Sequence, residues 1–391
     1  MSTTTRSLKH HAAVICGLTL ALPIITAAAG PTFPTEDVVD ERVGSEYETF
    51  RVVRVVDALE HPWAVAFLAD DRVLITERPG RLVLIDDGER IEVDGLPDDI
   101  HVHNQGGLLD IAVHPEHERN GWVYLTYAKG DADGTATTLI RGRLENGRLD
   151  DVEQIFTQDR RSSPGRHYGS RLAFTDDGML LMSIGDRGVE PERAQDLEDH
   201  AGSLLRLRDD GSVPDDNPFV DRDDAHHEIY SYGHRNIQGL VVHPETNEIW
   251  VHDHGPRGGD RLDLIRAGEN YGWPVVSYGR DYRTEEQWGE GRTKPGMVEP
   301  IREFLPTLAP SGFTVVTGEQ FENWNGNFLI GGLMSEQVRR VRLENHIVVH
   351  EEELIRGLIG RVRDVRMGPD DLIYVLTDEE NGGLYRLEPV S

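Results

Sequence analysis

The chain has 391 residues, with 70 acidic side chains against 40 of Lys and Arg and a formal net charge of −30. A surface this acidic excludes the classes of protein that bind nucleic acid or anionic lipid through positive charge. The single cysteine, Cys16, lies in the N-terminal segment, so the rest of the chain has no disulfide, thiol nucleophile or thiolate metal site.

Residues 1–29 have the pattern of a secretory signal peptide. Two basic residues precede an apolar run over 12–25, and small residues lead up to Gly30. The run is short for a membrane span, and no later stretch approaches the ~18 apolar residues that a span needs. We therefore expect a periplasmic or secreted protein without membrane insertion. The polar segment 30–46 has no hydrophobic period and is predicted to be a flexible leader.

A strand–turn–strand pattern then returns six times along the chain. Each copy has a hydrophobic strand, a turn rich in Asp, Pro, Gly or Asn, and a second hydrophobic strand. The copies are spaced about 46 to 74 residues apart, which is typical of a propeller or a solenoid. One copy cannot bury both faces alone, so the copies must pack against each other. We predict an all-β, six-bladed β-propeller over 47–391, with a site on its central axis.

Three further segments refine this prediction. Residues 50–56 alternate as a strand, and we expect this strand to close the ring by pairing with the last blade. The segments 189–228 and 279–305 are rich in Pro, Asp and Arg and poor in apolar residues. We expect both to be long loops over one face of the ring, where such folds carry function.

Three polar clusters precede the repeats, so ring closure would bring them to one rim. Gln105 is followed by two glycines, which indicates either backbone held close to a ligand or an ordinary glycine-rich turn. His167 precedes the third repeat, where a neutral imidazole could act as a general base; a surface histidine is the plainer interpretation. Arg235 and Asn236 precede the fourth repeat and offer donors to carboxylate or carbonyl oxygens, unless they belong to an ordinary polar surface.

Two more clusters indicate an ion and an anion. The loop over 252–260 combines Asp with Gly and Pro, and its carboxylate and carbonyl oxygens are calcium ligands. His252 and His254 would share one face of a strand and also permit zinc, and a plain turn is the third alternative. Arg361 and Arg363 share a face as well, where they either bind an anion or form salt bridges. Together the clusters predict a small anionic ligand at the ring axis.

Several phrases of the chain, in order from residue 62 to residue 387, resemble those of one known family. It is the family of soluble PQQ-dependent aldose sugar (glucose) dehydrogenases, which are exported six-bladed propellers. The phrases are NQGGLLDIAVHP, HYGSRLAF, SIGDRG, EIYSYGHRNIQGLVVHP, HGPRGGDRLDLI, GENYGWP, LPTLAPSG and GRVRDVRMGPDDLIYVLTD.

The resemblance implies a role for each matching residue. His167 matches the base that takes the proton from the anomeric hydroxyl of the sugar, while hydride passes to pyrroloquinoline quinone (PQQ). Arg235 matches a cofactor-contacting residue that stabilises the developing negative oxygen. The backbone carbonyls of Gly255 and Pro256 match the ligands of a calcium ion that polarises the quinone. The remaining matches are cofactor contacts, namely Gln105, Asn236, Thr307, Arg361 and Arg363.

The sequence also departs from this family pattern. Arg261 stands where many members have a glutamate that helps to hold a second, structural calcium. Such an ion would then be absent or bound differently, for instance through Asp260, the Tyr271 carbonyl and Asp281. Met334 stands where some members place a cofactor-binding lysine, so one carboxylate of PQQ would lack a partner.

The expected reaction is the oxidation of aldose sugars at the anomeric carbon to the lactone, with electrons passing to an external acceptor. Because Arg166 and Leu305 replace residues that line the sugar pocket of glucose-specialised members, broad aldose use is expected. The alternatives are a calcium-dependent six-bladed propeller lactonase and a non-enzymatic binding propeller, since a fold does not determine a function. A monomer and a homodimer both remain open.

Overall fold

The computed structural model describes residues 1–2, 30–163 and 165–390. The signal peptide predicted for 1–29 lies, apart from its first two residues, outside this part of the chain and stays a prediction. The described chain is almost entirely strand, with one short α-helix, α1 (His117–Asn120), and two 3-10 turns at Pro191–Gln195 and Glu322–Trp324. Within the described residues, no helix has the length and apolar character needed to cross a membrane.

The strands follow one another in chain order. Two N-terminal strands, β1 (Asp37–Gly44) and β2 (Thr49–Leu59), precede blade 1, formed by β3 (Pro62–Phe67), β4 (Val73–Glu77), β5 (Arg81–Asp86) and β6 (Glu89–Glu92). Blade 2 consists of β7 (Leu108–Val113), β8 (Trp122–Asp131), β9 (Gly134–Glu145) and β10 (Arg148–Thr157). Blade 3 consists of β11 (Leu172–Phe174), β12 (Leu180–Ile184), β13 (Ser203–Leu207) and β14 (Ile229–Tyr232). Blade 4 consists of β15 (Ile237–Val242), β16 (Ile249–Asp253), β17 (Asp260–Leu264) and β18 (Arg302–Phe304). Blade 5 consists of β19 (Pro310–Val315), β20 (Phe328–Gly332), β21 (Gln337–Glu344) and β22 (Ile347–Leu354). Blade 6 contains β23 (Val362–Met367), β24 (Ile373–Thr377) and β25 (Gly382–Pro389).

The six sheets form a closed ring, which confirms the predicted propeller. The first strand of each blade contacts the first strands of the two neighbouring blades, from β3 through β7, β11, β15, β19 and β23 back to β3. The N-terminal β2 completes blade 6 by pairing antiparallel with β25, with Phe50 opposite Pro389 and Leu59 opposite Gly382. The strand predicted over 50–56 therefore closes the ring as expected.

The prediction of a flexible leader over 30–46 is wrong for the eight residues of Asp37–Gly44. Asp37–Gly44 forms β1, which pairs with β2 from Asp37 opposite Arg54 to Gly44 opposite Thr49. The side chains of β1 are mostly exposed, so this edge strand has no apolar period to reveal it. The strand is held by backbone hydrogen bonds to β2, and amino-acid composition does not reveal such bonds.

Packing between blades explains why the strands of the repeats are hydrophobic along their length. The second strands of the repeats are buried along most of their length, because each has a neighbouring blade on both faces. In the described part of the chain, six apolar clusters fill the six boundaries between adjacent blades. Burial of this apolar surface is the main stabilisation available to a ring without disulfides.

The two segments predicted as loops differ from each other. The segment 189–228 contributes β13, the third strand of blade 3, so it is a loop only on either side of Ser203–Leu207. The segment 279–305 adds only the short β18 at its end. In the sequence, the few apolar residues of β13 stand among many polar ones. A strand that is buried only by the adjacent blade is therefore not recognisable from composition.

Buried ion pairs join the inner strands at the ring axis. Arg171 Nη1 lies 3.1 Å from Asp364 Oδ1 and 3.4 Å from Asp110 Oδ1. Arg366 Nη2 lies 3.2 Å from Asp110 Oδ1, and its Nε lies 3.0 Å from Asp364 Oδ2. Asp110 also accepts the backbone N–H of Leu172, at 2.8 Å. These charges tie blades 2, 3 and 6 together below the cavity-lining residues of the inner strands.

Candidate active site at the ring axis

A cavity of about 330 Å³ lies where the inner strands converge. Trp63, Leu109, Gln238 and Arg363 reach it from the inner strands of blades 1, 2, 4 and 6. The other lining residues come from segments that precede the first strand of a blade or follow its second strand. This placement follows from ring closure, because the start of each inner strand points to the same end of the axis.

Four of the predicted cofactor contacts line this cavity, namely Gln105, Asn236, Arg361 and Arg363. His167 lies directly against its wall, since Tyr168 and Gly169 line the cavity and the His167 N–H donates to Gln105 Oε1 at 2.8 Å. Arg235 borders a smaller adjoining hollow that shares His254 with the main cavity. The structure thus brings together residues that lie between positions 105 and 363 of the sequence.

His167 is held in an unusual backbone conformation. Its φ of +55° lies in the left-handed region, which disfavours residues other than glycine. Gly185 packs on its carbonyl so closely that a Cβ at Gly185 would lie 2.2 Å from the His167 oxygen. A non-glycine residue in this region, fixed by its surroundings, is typical of functional sites.

The His167 side chain pairs with a buried carboxylate. Its Nδ1 lies 2.6 Å from Asp186 Oδ1. Burial, together with the positive charge of Arg235, lowers the pKa of His167 despite the opposing effect of Asp186. The imidazole is therefore neutral near pH 7, with Nδ1–H donated to Asp186, which leaves Nε2 as a proton acceptor.

Asp186 is the functional residue that sequence reasoning missed. Besides His167, its oxygens accept the Trp273 Nε1–H and the Gly188 N–H, both at 2.7 Å. Burial alone would raise its pKa, but the neighbouring His167 and Arg235 lower it, so that Asp186 stays ionised. The phrase SIGDRG contains this aspartate, yet no spacing links it to His167.

A second buried carboxylate positions Arg235 and Asn236. Asp253 accepts their backbone N–H groups at 2.8 and 2.5 Å, and burial raises its pKa to about 7. Arg235 Nη1 donates to the His254 carbonyl at 3.1 Å. Asn236 Oδ1 accepts the Gly169 N–H at 3.1 Å. The backbone of the predicted pair is therefore tied to strand β16 and to the loop that carries His167.

Positive charge predominates in the cavity. Three guanidinium groups, those of Arg78, Arg361 and Arg363, face one carboxylate, that of Asp378. Asp378 Oδ2 lies 2.5 Å from Arg363 Nη2 and 3.6 Å from Arg361 Nη2. Although burial opposes it, Arg363 lowers the pKa of Asp378, so this acid remains charged. Among the described residues, the buried Nε of Arg363 has no hydrogen-bond partner.

Thr307 is not among the residues that line this cavity, and its contact with a cofactor stays a prediction. Its hydroxyl donates to Asp260 Oδ2, which also accepts the N–H groups of Leu308 and Ala309 at 2.9 Å. The other oxygen of Asp260 accepts the Gly255 N–H at 3.1 Å. Asp260 therefore fastens the segment around Thr307 to the loop of the predicted cofactor calcium.

The groups suggested for a second calcium have other partners. The Tyr271 carbonyl accepts a hydrogen bond from Arg261 Nη1 at 2.8 Å, and Arg261 also pairs with Asp263 at 2.7 Å. Asp281 is exposed, and its Oδ1 accepts the N–H groups of the next turn. Asp260 also has partners, the Thr307 hydroxyl and three backbone N–H groups, so an ion held by these three residues stays a prediction. The Arg261 guanidinium supplies positive charge there.

The model of the Glucose / Sorbosone dehydrogenase family matches residues 59–386. The chain belongs to this family. The match spans all six blades, so membership concerns the whole ring and the residues at its axis.

Three relatives place the chain within the family. It is 36% identical to aldose sugar dehydrogenase YliI of Escherichia coli over 87% of this chain and 93% of that protein. It is 41% identical to an uncharacterized protein of Synechocystis sp. over 95% of both chains. It is 25% identical to quinoprotein glucose dehydrogenase B of Acinetobacter calcoaceticus, over 95% of this chain and 93% of that one.

Solved structures show the same architecture. The crystal structure of the soluble aldose sugar dehydrogenase from E. coli in its apo form has a TM-score of 0.84 at 36% identity, covering 87% of this chain and all of that one. A crystal structure of a glucose dehydrogenase has a TM-score of 0.83 at 38% identity, covering 86% of this chain and 98% of that one. The protein is thus a homologue of an aldose sugar dehydrogenase in sequence and in fold.

Proposed function

We propose that this dehydrogenase uses PQQ and calcium to oxidise aldose sugars at the anomeric carbon to the lactone. The observation that carries the proposal is a cavity with three arginines and one acid in a chain of net charge −30, next to the buried His167–Asp186 pair. Three guanidinium groups around one carboxylate leave an excess of positive charge in the cavity, which favours an anionic ligand. The relatives named aldose sugar dehydrogenase and quinoprotein support this choice of ligand and substrate.

The residues of the cavity fit a planar tricarboxylate. Arg78, Arg361 and Arg363 would bind carboxylate groups, and the partnerless Nε of Arg363 is a buried donor for one of them. The amide oxygens of Gln105 and Asn236 hold the His167 loop, which leaves their NH₂ groups as donors to a ligand. A volume of about 330 Å³ lies within the ordinary range of cofactor pockets. When bound, the quinone supplies the acceptor for the hydride of the sugar.

Calcium would be held by the loop at Gly255 and Pro256. Asp260 fixes this turn through the Gly255 N–H, and both carbonyl oxygens accept no hydrogen bond from the described residues. Carbonyl oxygens are ligands that calcium prefers, and its charge would polarise a neighbouring quinone oxygen. His254 is adjacent in the sequence and lines the cavity, so the loop lies beside the place proposed for the cofactor.

His167 and Arg235 would carry out the protein's part of the chemistry. The neutral His167 Nε2 takes the proton from the anomeric hydroxyl, since Nδ1–H is committed to Asp186. Asp186 stabilises the imidazolium that forms. Hydrogen bonds donated by Trp273 and Gly188 hold the Asp186 carboxylate in place. The Arg235 guanidinium favours negative charge that develops next to it on the acceptor.

Broad aldose use is also part of the proposal. Leu305, which replaces a residue of the sugar pocket of glucose-specialised members, is 66% exposed. An exposed apolar side chain in this position does not form a tight pocket around one sugar. Arg166, next to His167, donates to the Gly188 carbonyl at 2.9 Å and is also committed to the protein.

Reconstitution tests the function directly. Purified protein should reduce an artificial electron acceptor when an aldose, PQQ and Ca²⁺ are all present, and it should fail when PQQ is omitted. Several aldoses and a non-sugar alcohol would be compared by following the dye absorbance. Lactone hydrolysis without dye reduction would favour the lactonase, and the absence of both activities would favour the binding propeller.

Replacing Arg363 by alanine is expected to weaken PQQ binding about ten- to hundredfold, because a buried charge-assisted hydrogen bond to a carboxylate is lost. Arg363→Lys should lose less, since it keeps the charge. PQQ affinity would be measured by quenching of tryptophan fluorescence. Arg148→Ala, an exposed residue of β10, is the control and should bind PQQ like the wild type. Wild-type affinity in Arg363→Ala would contradict the assigned orientation of the cofactor.

A further inference from the structure

Three metal-ligating side chains meet between blades 2 and 3, and none of them lines the axial cavity. Asp159 follows β10, the outermost strand of blade 2, while His200 precedes β13 and His226 precedes β14 of blade 3. One potential ligand atom of each lies within 4.8 Å of the other two. Three separate loops thus contribute one ligand each to a single point.

One carboxylate contacts both imidazoles. Asp159 Oδ1 lies 2.8 Å from His200 Nδ1, and Asp159 Oδ2 lies 2.9 Å from His226 Nε2. The two rings are stacked, with centroids 3.9 Å apart and an angle of 16° between their planes. The nitrogens that face Asp159 are therefore directed to the same side of the stacked rings.

Glu228 makes the arrangement informative. Its Oε1 lies 2.8 Å from the other nitrogen of His200, Nε2. When His200 Nε2–H is donated to Glu228, the Nδ1 atom on the Asp159 side can offer its lone pair to an ion. Carboxylate-to-histidine hydrogen bonds of this kind orient metal ligands in many proteins.

We propose that Asp159, His200 and His226 form a zinc-binding site, with Glu228 orienting His200. Two imidazole nitrogens and one carboxylate oxygen suit zinc, which is often bound by three protein ligands and one water. Calcium does not suit this set, because it prefers oxygen ligands. The two positive charges of the ion are matched by the carboxylates of Asp159 and Glu228.

An ion fits this cluster after one imidazole turns. An imidazole binds zinc in the plane of its ring, at about 2.0–2.1 Å from the nitrogen. The two stacked rings are nearly parallel, so one of them must rotate before both can face a single ion. His226 has the room to do so, because its side chain is 29% exposed, and Asp159, which is 40% exposed, can follow it.

The surroundings combine a rigid base with access to solvent. The His200 side chain is 3% exposed, and the preceding Asp199 pairs with Arg193 at 2.6 Å. His226 is 29% exposed and, like Asp159, can be reached by an ion from solvent. A bound ion would cross-link the last loop of blade 2 to two loops of blade 3 and stabilise their boundary by linkage.

Zinc titration tests the proposal independently of sugar oxidation. Tag-free protein is stripped with a chelator, returned to buffer with excess Ca²⁺ and titrated with Zn²⁺ by calorimetry. We expect one Zn²⁺ per chain that Ca²⁺ does not displace, and Co²⁺ in its place should show the visible absorption of a four-coordinate ion. Failure of the wild-type protein to bind Zn²⁺ would overturn the proposal.

Variants locate the site. His226→Ala and Asp159→Asn should each weaken Zn²⁺ binding by at least about 100-fold, and Glu228→Ala by about 10- to 100-fold. His227→Ala is the matched control, since this neighbouring exposed histidine should leave Zn²⁺ affinity unchanged. Wild-type Zn²⁺ affinity in His226→Ala or Asp159→Asn would show that the ion binds elsewhere. Circular dichroism of each variant confirms that the ring is intact.

Discussion

Replacing His167 by alanine is expected to lower kcat by about 10²–10⁴-fold, the loss typical of a removed general base, with little effect on PQQ affinity. The reason lies in the geometry, since Asp186 holds Nδ1 at 2.6 Å and leaves Nε2 as the one proton acceptor of this side chain. Steady-state dye reduction and PQQ titration of the same preparation would be compared. Turnover like that of the wild type would remove His167 from the mechanism.

The pH profile gives this prediction a second measurement. Only the neutral imidazole can accept a proton, and burial lowers the pKa of His167 from its ordinary value of 6.5. Activity should therefore persist as the pH falls through 6.5 and decline only below it. The acid limb of kcat/KM would be measured in the wild type and in His227→Ala, where it should be unchanged. A limb above pH 6.5 would contradict the neutral, buried base.

Replacing Arg171 by leucine is expected to lower the free energy of unfolding by about 3–5 kcal/mol, the usual effect of removing one partner of a buried ion pair. Arg171 is 2% exposed and faces Asp110 and Asp364, both fully buried. Arg366 alone would then face two carboxylates, and the Gln238 carbonyl would lose the hydrogen bond that Arg171 Nε donates at 2.7 Å. These lost contacts lie where blades 2, 3 and 6 meet. We therefore expect the substitution to destabilise the whole ring.

Urea unfolding followed by tryptophan fluorescence measures this change. Arg171→Lys should show a smaller loss, because it keeps a positive charge between the carboxylates. Arg148→Ala removes an exposed ion pair and should change the free energy by less than about 1 kcal/mol. A shift of that small size in Arg171→Leu would mean that the axial charges contribute little to stability.

The position of a site residue along a repeat is visible in the sequence, whereas its hydrogen-bond partner is not. Gln105, Asn236, Arg361 and Arg363 line the cavity, because each lies at the entrance to a repeat. Thr307, for which a cofactor contact is also predicted, donates its hydroxyl to Asp260. Such a choice between two nearby partners depends on side-chain distances that no sequence pattern contains.

Other members of the site could not be found from the sequence. Asp186, Arg78 and Asp378 belong to loops or strand ends whose local composition is ordinary, and each acquires its role from a partner in another blade or segment. The same holds for Asp159 and His200, which are separated by 41 positions. Only the shape of the folded chain brings such pairs within hydrogen-bond distance.

The amino-acid sequence alone determined the six strand–turn–strand repeats, the strand that closes the ring and the end of the repeats where polar residues gather. These features are periodic, because each blade must bury its strands between two neighbours, and periodic burial is visible in the order of apolar residues. The tertiary structure decided which side chains meet at the axis, which carboxylate orients His167 and which arginines are paired. Those contacts arise from the closure of the ring, which brings distant residues together without leaving a local pattern.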